Sequence, residues 1–124
     1  MEGEFADGYF VENTVFADVD PDSSLAQQEV FGPVLAVIPF DTEEQAVGIA
    51  NDTAYGLTNY IQSRDMRRVR RLIPQLRSGT VGVNTGVCVH QTAPFGGVGT
   101  SGFGREGGKA GLEEFIRVKT VLLR

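Results

Sequence analysis

The sequence predicts an α/β fold in which parallel strands are joined by crossover helices. Three observations carry the prediction. Short apolar, β-branched runs of strand length recur at Val34–Phe40, Leu57–Gln62 and Thr80–Asn84. Segments with helical apolar spacing stand between them, one starting at Thr42 in a region that Gly56 ends, the other at 66–76. Each helical segment also has its own start and stop chemistry. Strands that alternate with helices cannot close tight hairpins, so they pair in parallel through right-handed crossovers.

Taken in order, Tyr9–Phe16 is aromatic and β-branched and reads as a strand. Asp18–Ser24 is a loop of Asp, Pro and Ser, with Ser24 placed to cap a short helix through Gln28. Gly32-Pro33 stops that helix. Val34–Phe40, continuous and apolar, reads as a buried strand. Thr42-Glu43-Glu44-Gln45 is a capping box, and its two acids suit the positive end of the helix dipole. Ala46, Ile49 and Ala50 form the apolar face of that helix. Asp65 caps the next helix, with Met66, Val69, Leu72, Ile73 and Leu76 on one face and arginines over much of the rest. Pro74 kinks or tightens its last turn. Thr85–Gly108 is a glycine-rich loop of a length that is functional or disordered. Lys109–Ile116 reads as a helix with Leu112, Phe115 and Ile116 inward, and Arg117–Leu123 as a final strand.

The chain has 124 residues, enough for one domain with a modest core. Hydrophobic residues make up 41% of it and the mean hydropathy is -0.08, values of a globular chain. A net charge of -5 argues against general nucleic-acid binding. No apolar run is long enough to span a membrane. Met1–Asp7 is acidic and lacks the basic and apolar regions of a signal peptide. One cysteine rules out an internal disulfide and fits a reducing cytoplasm.

Several short motifs invite chemistry. Glu29 and Phe31 are two residues apart, so an extended backbone points both side chains the same way, able to grip a ribose and flank a planar heterocycle. The bland alternative is a capping glutamate and a core phenylalanine. Cys88 and His90 would share a face of a strand as nucleophile and base. No orienting acid is near, and a lone cysteine is more often an inert apolar residue. Glycines at 97, 99 and 102, and again at 102, 104 and 107, match G-x-G-x-x-G. They neither follow a strand directly nor lead to an acid, so they read as loop and packing glycines. The arginine-rich helix is an anion patch or a solvated face paired with acids, the second being commoner. Glu106 beside Arg105 is a surface pair or a working carboxylate.

These motifs also come in a set order. Gly8–Phe16, Gln28–Val34, Asn51–Leu57, Gly79–Thr85, Pro94–Gly97 and Ser101–Glu106 together resemble the C-terminal part of the NAD(P)-dependent aldehyde dehydrogenases. The resemblance runs from Gly8 to Lys119-Thr120-Val121. It implies that residues 1–116 are the C-terminal part of the catalytic domain and 117–124 an oligomerisation strand. It implies an oxidoreductase that converts an aldehyde to an acid with NAD or NADP. In that family a cysteine thiolate attacks the carbonyl, hydride passes to the nicotinamide, and a glutamate activates water. The resemblance gives Glu29, Phe31 and Leu57 to the nicotinamide half of the cofactor. It gives Phe95, Cys88 and Val89, with the Gly86–Gln91 loop, to the substrate tunnel, and Glu106 to proton relay or support. Gln28 stands where the family often has a second glutamate. Val83–Gly86 and Ala93–Phe95 are similar to the succinate-semialdehyde branch, although Val89 replaces its carboxylate-binding serine. The family's nucleophile, general base and dinucleotide domain lie outside these residues, so the chain alone is expected to be inactive. No metal is implied. The competing class is a non-enzymatic homologue kept for association. The implied partners are a small aldehyde and further copies of the chain through Arg117–Leu123.

Overall fold

The computed structural model describes Gly3 and residues 7–124. Most of Met1–Asp7, the stretch compared with a signal peptide, lies outside the described residues. The chain divides into two compact units, residues 1–46 and 47–124.

In the first unit β1 (Thr14–Phe16) pairs in parallel with β2 (Val34–Ala36), Thr14 opposite Val34. The connection carries α1 (Ser24–Gln27). Its cap is Ser23 rather than Ser24: the Ser23 hydroxyl accepts the Ala26 N–H at 3.3 Å. The Ser23 N–H and O–H both donate to the Asp20 carbonyl, which fixes the cap one residue earlier than sequence spacing suggested. Helix α2 (Glu43–Asn51) starts on the expected box. Gln45 N–H donates to the Thr42 hydroxyl, and the Gln45 side chain accepts from the Asp41 N–H at 2.7 Å, one residue further back than in the standard box.

In the second unit β3 (Thr58–Ile61) pairs in parallel with β4 (Thr80–Val83), Ile61 opposite Val83. Helix α3 (Met66–Leu72) makes the crossover. Asp65 caps it, accepting N–H bonds from Arg67 at 2.9 Å and Arg68 at 3.1 Å. Pro74 tightens the end into a 3-10 turn, Ile73–Gln75. Helix α4 (Gly108–Glu113) closes the regular structure.

The fold class is as expected, α/β with parallel strands, here in two separate two-stranded sheets, but three expectations need correction. Val34–Phe40 is not a buried strand: the strand is Val34–Ala36, Val37 adds backbone bonds to Phe16 and Val19, and Leu35 and Phe40 are exposed. A strand is buried only by what covers it, and a two-stranded sheet has little to offer. Residues 117–124 form no strand, because they have no ladder partner within the chain. The apolar residues before them, Leu112, Phe115 and Ile116, face outward rather than inward. Among the described residues the buried hydrophobic core is Ile61 and Val69. Val69 is the part of the predicted α3 face that is fully inside; Met66 and Ile73 are exposed.

Candidate functional site

The Glu29–Phe31 stretch sits in the turn that leads into β2. It is not extended. Phe31 takes a left-handed backbone, φ 54°, so the two side chains do not share a direction by strand geometry. Gly32 C=O accepts from the Val34 N–H at 2.8 Å, and Pro33 C=O accepts from the Thr14 N–H at 2.9 Å, which pins the turn to β1. A large side chain at positive φ is strained, and such strain concentrates at sites of function. The Phe31 ring is 90% exposed, so it is not a core phenylalanine. Glu29 and Phe31 line one open cleft of about 300 Å³ with Gln28, Leu25 and Val34.

The second unit holds another open cleft, of about 320 Å³. Three residues singled out in the sequence meet there: Leu57, Phe95 and Glu106. Phe95 and Glu106 are held by an antiparallel bridge, Phe95 N–H to Glu106 C=O at 2.8 Å and Glu106 N–H to Phe95 C=O at 2.7 Å. The supposed loop 85–108 is therefore folded back on itself.

It is also docked. Gly56 C=O accepts from both Gly79 and Val98 N–H groups, and Gly56 N–H donates to the Ser101 hydroxyl at 3.0 Å. Thr100 binds the Ala54 carbonyl through its N–H and its hydroxyl, both at 2.9 Å. Arg105 donates from one guanidinium nitrogen to Gly97 C=O at 2.9 Å and Gly104 C=O at 2.6 Å. The backbones pack so closely that a Cβ on Gly79 would overlap the Gly96 carbonyl. Of the glycines in the G-x-G-x-x-G matches, Gly97, Gly99 and Gly107 are packed too closely for a Cβ, whereas Gly102 has open space around it and a φ of 101°.

Glu106 also borders a larger open cavity of about 720 Å³ with Gln91, Thr92, Lys109, Leu112 and Phe115. Arg105 and Glu106 point to different tasks: the Arg105 guanidinium binds carbonyls, and its backbone N–H donates to the Glu114 carboxylate at 3.1 Å.

Cys88 and Val89 do not line the Phe95 cleft. Residues 87–90 are not a strand, so the shared-face argument for Cys88 and His90 fails. The His90 Nδ1 lies 2.9 Å from the Thr92 hydroxyl. The Cys88 sulfur lies against Tyr60 in the space left by Gly82, where a Cβ would come within 2.5 Å of it. The Tyr60 phenol donates to the Cys88 sulfur, which favours its protonated form and raises its pKa, with desolvation adding to the shift. Val89 is exposed.

Sequence reasoning missed Asn51, Ser101 and Arg105. Asn51 clamps the end of the α3 crossover, its amide donating to Gln75 C=O and accepting from Arg77 N–H, both at 2.7 Å. A polar residue at a helix end, facing a proline turn 24 residues on, leaves no local pattern. Among the described residues no group of three or more His, Cys, Asp or Glu side chains gathers as for a metal ion. Among the described residues no helix is long and apolar enough to cross a membrane.

Comparison with known proteins is consistent over the whole chain. The model of the "Aldehyde dehydrogenase family" matches residues 1–121. A 3-succinoylsemialdehyde-pyridine dehydrogenase of a Pseudomonas species is 46% identical over 115 residues, 93% of this chain and 24% of the relative. A succinate semialdehyde dehydrogenase of Acinetobacter baylyi is 46% identical over 113 residues, 91% of this chain and 23% of the relative. The crystal structure of a Mycobacterium tuberculosis aldehyde dehydrogenase complexed with NAD+ superposes with a TM-score of 0.89 at 48% identity, covering 94% of this chain and 24% of that one. The chain thus spans about a quarter of the length of these relatives. A match over nearly every residue, at such identity and with the same fold, has one reading: the chain belongs to the aldehyde dehydrogenase family.

Proposed function

We propose that the chain supplies the C-terminal portion of an NAD(P)-dependent aldehyde dehydrogenase, and that alone it does not turn over. The observation that carries this is Phe31, held at φ 54° with its ring in solvent beside Glu29 on one cleft. That arrangement fits a nicotinamide nucleotide. Both Glu29 carboxylate oxygens can accept hydrogen bonds from neighbouring ribose hydroxyls. The Phe31 ring offers an apolar face that flanks a planar ring and keeps water from it. When bound, the nicotinamide supplies the hydride acceptor for aldehyde oxidation.

In the second unit, Leu57 and Phe95 give an apolar wall to the cleft, and Glu106 sets a carboxylate at its edge. The Glu106 backbone is fixed to Phe95, and its carboxylate, at the cleft's edge, is suited to take or return a proton at an oxygen atom. Leu57 belongs with the nicotinamide end and Phe95 with the aldehyde. Cys88 and Val89 belong with the aldehyde entrance only if the 86–91 loop lies at its mouth. The names of the semialdehyde-oxidising relatives support a semialdehyde as substrate. Arg117–Leu123, unpaired within the chain, is suited to add to the sheet of another copy. The single cysteine fits a cytoplasmic protein.

The test uses a full-length enzyme carrying these residues. Glu29→Gln should slow single-turnover hydride transfer about ten- to hundredfold, as expected for one lost charged hydrogen bond of about 1.5–3 kcal/mol, while cofactor affinity changes little. An unchanged single-turnover rate would remove Glu29 from the site.

A further inference from the structure

Helix α4 is folded back on the segment that carries Glu106. Its first N–H, on Gly108, donates to the Gln91 carbonyl at 3.0 Å. One turn on, Gly111 lies flat against Glu106: a Cβ there would stand 3.0 Å from the Glu106 carbonyl carbon. Glu114 follows Gly111 by three residues and keeps a helical backbone, so its side chain leaves on the same face. Two acids end this helix, and their spacing does not tell them apart. The structure does: Glu113 pairs with Lys109 at 3.5 Å, while Glu114 turns to Arg105.

The contact falls where the Glu106 backbone needs it. In an antiparallel pair alternate residues bond across, and the groups of their neighbours face away. Glu106 gives its N–H and its C=O to Phe95. The N–H of Arg105 faces the other edge, and the Glu114 Oε1 accepts it at 3.1 Å. A carboxylate is a stronger acceptor than a backbone carbonyl. Gly104, at φ 89°, lets the turn pass under this carboxylate, since a Cβ there would lie 3.3 Å from Oε1. Glu106 and Glu114 also line the same two clefts.

A group that moves a proton must sit within hydrogen-bond reach of its partner, and a side chain is no steadier than the backbone that bears it. Granted the proton-carrying role proposed for Glu106, on which this rests, we infer that Glu114 is a positioning residue for Glu106, acting through the Arg105 N–H. The hold comes from both sides: Phe95 on one edge of the segment, Glu114 on the other.

The test uses a full-length enzyme carrying these residues and two readouts, amide exchange and steady-state kinetics. Glu114→Ala should quicken exchange at Arg105 and Glu106 and lower kcat about three- to tenfold, as one lost hydrogen bond would, with little change in KM for the aldehyde. Glu114→Gln keeps an acceptor oxygen and should restore most of both. Glu113→Ala, which removes the neighbouring acid, should alter neither. In a Glu106→Gln background, Glu114→Ala should lower kcat no further, because the group it positions is already gone. Unchanged exchange at Arg105 in Glu114→Ala overturns the inference. So does a Glu114→Gln as impaired as the alanine, or a full additional loss in the double variant. Full activity in Glu106→Gln alone would remove Glu106 from the chemistry and the inference with it. An impaired Glu106→Gln beside a fully active Glu114→Ala would overturn the inference and leave the role of Glu106 standing.

Discussion

Phe95 and Glu106 exchange both backbone hydrogen bonds, at 2.8 and 2.7 Å, and so turn a glycine-rich loop into a fixed wall of the cleft that also holds Leu57. Ten residues of sequence lie between the two. What spans the gap is Arg105, whose guanidinium ties Gly97 and Gly104 together from inside the loop.

Arg105→Met should therefore open the loop. It keeps most of the apolar stem and removes the charged donors, at a cost of about 1.5–3 kcal/mol in unfolding free energy. Amide exchange at Phe95 and Glu106 should quicken along with it. Unchanged exchange at these two amides would show that the backbone bridge holds without the arginine.

Gly79 and Gly48 should respond in opposite ways to alanine. A Cβ on Gly79 meets the Gly96 carbonyl, part of the backbone, which cannot swing aside. Gly79→Ala should destabilise by about 1–3 kcal/mol. Gly48 lies inside α2 with nothing near its Cβ position, so Gly48→Ala should stabilise by about 0.5–1 kcal/mol. Urea midpoints compare the two, and a shift in the same direction for both would contradict the packing described.

Phe31→Gly should raise stability by about 1–2 kcal/mol, because glycine adopts the left-handed backbone freely and the exposed ring buries little. In a full-length enzyme the same change should impair cofactor use. A drop in stability would mean that the ring makes contacts the cleft does not show.

Asp65 should give the chain an acid-sensitive helix start. N–H bonds from Arg68 and Arg67 hold its carboxyl below the ordinary value of 3.8. A carboxyl lowered in the folded state stabilises above its ordinary value, and loses that effect as pH falls through its folded value. Wild type should exceed Asp65→Asn in stability at neutral pH, and the two should converge in acid. Thermal melts across that range check it; a constant difference would assign the whole effect to cap shape.

The terminal residues Val118, Val121, Leu122 and Leu123 are all exposed. Association through this apolar segment should survive high salt, because screening does not weaken apolar contacts. Light scattering at high salt and high concentration, with Val121→Lys as control, is expected to show a larger species that the substitution removes. A monomer mass for both would end this route.

Local chemistry was enough to predict much of this chain. The Thr42 box, the Asp65 cap and the Pro74 turn are settled within a few residues, and they appear where the pattern puts them. Strand-forming runs at 57–62 and 80–84 likewise contain their own signal, and the order of motifs identified the family. Other features depend on partners far away in sequence. Whether Val34–Phe40 is buried depends on what covers it, and no run of apolar residues encodes that. Arg117–Leu123 has the composition of a strand but becomes one only against a ladder partner. Phe31's left-handed turn replaced the extended backbone that its spacing from Glu29 suggested, because Gly32 and Pro33 are bonded into the β1–β2 pair. The meeting of Leu57, Phe95 and Glu106 rests on Gly56, Gly79 and Ser101 bonding across 23 to 45 residues. Hydrogen bonds over such separations exist only once the backbone has folded, so the tertiary structure alone decided the cleft.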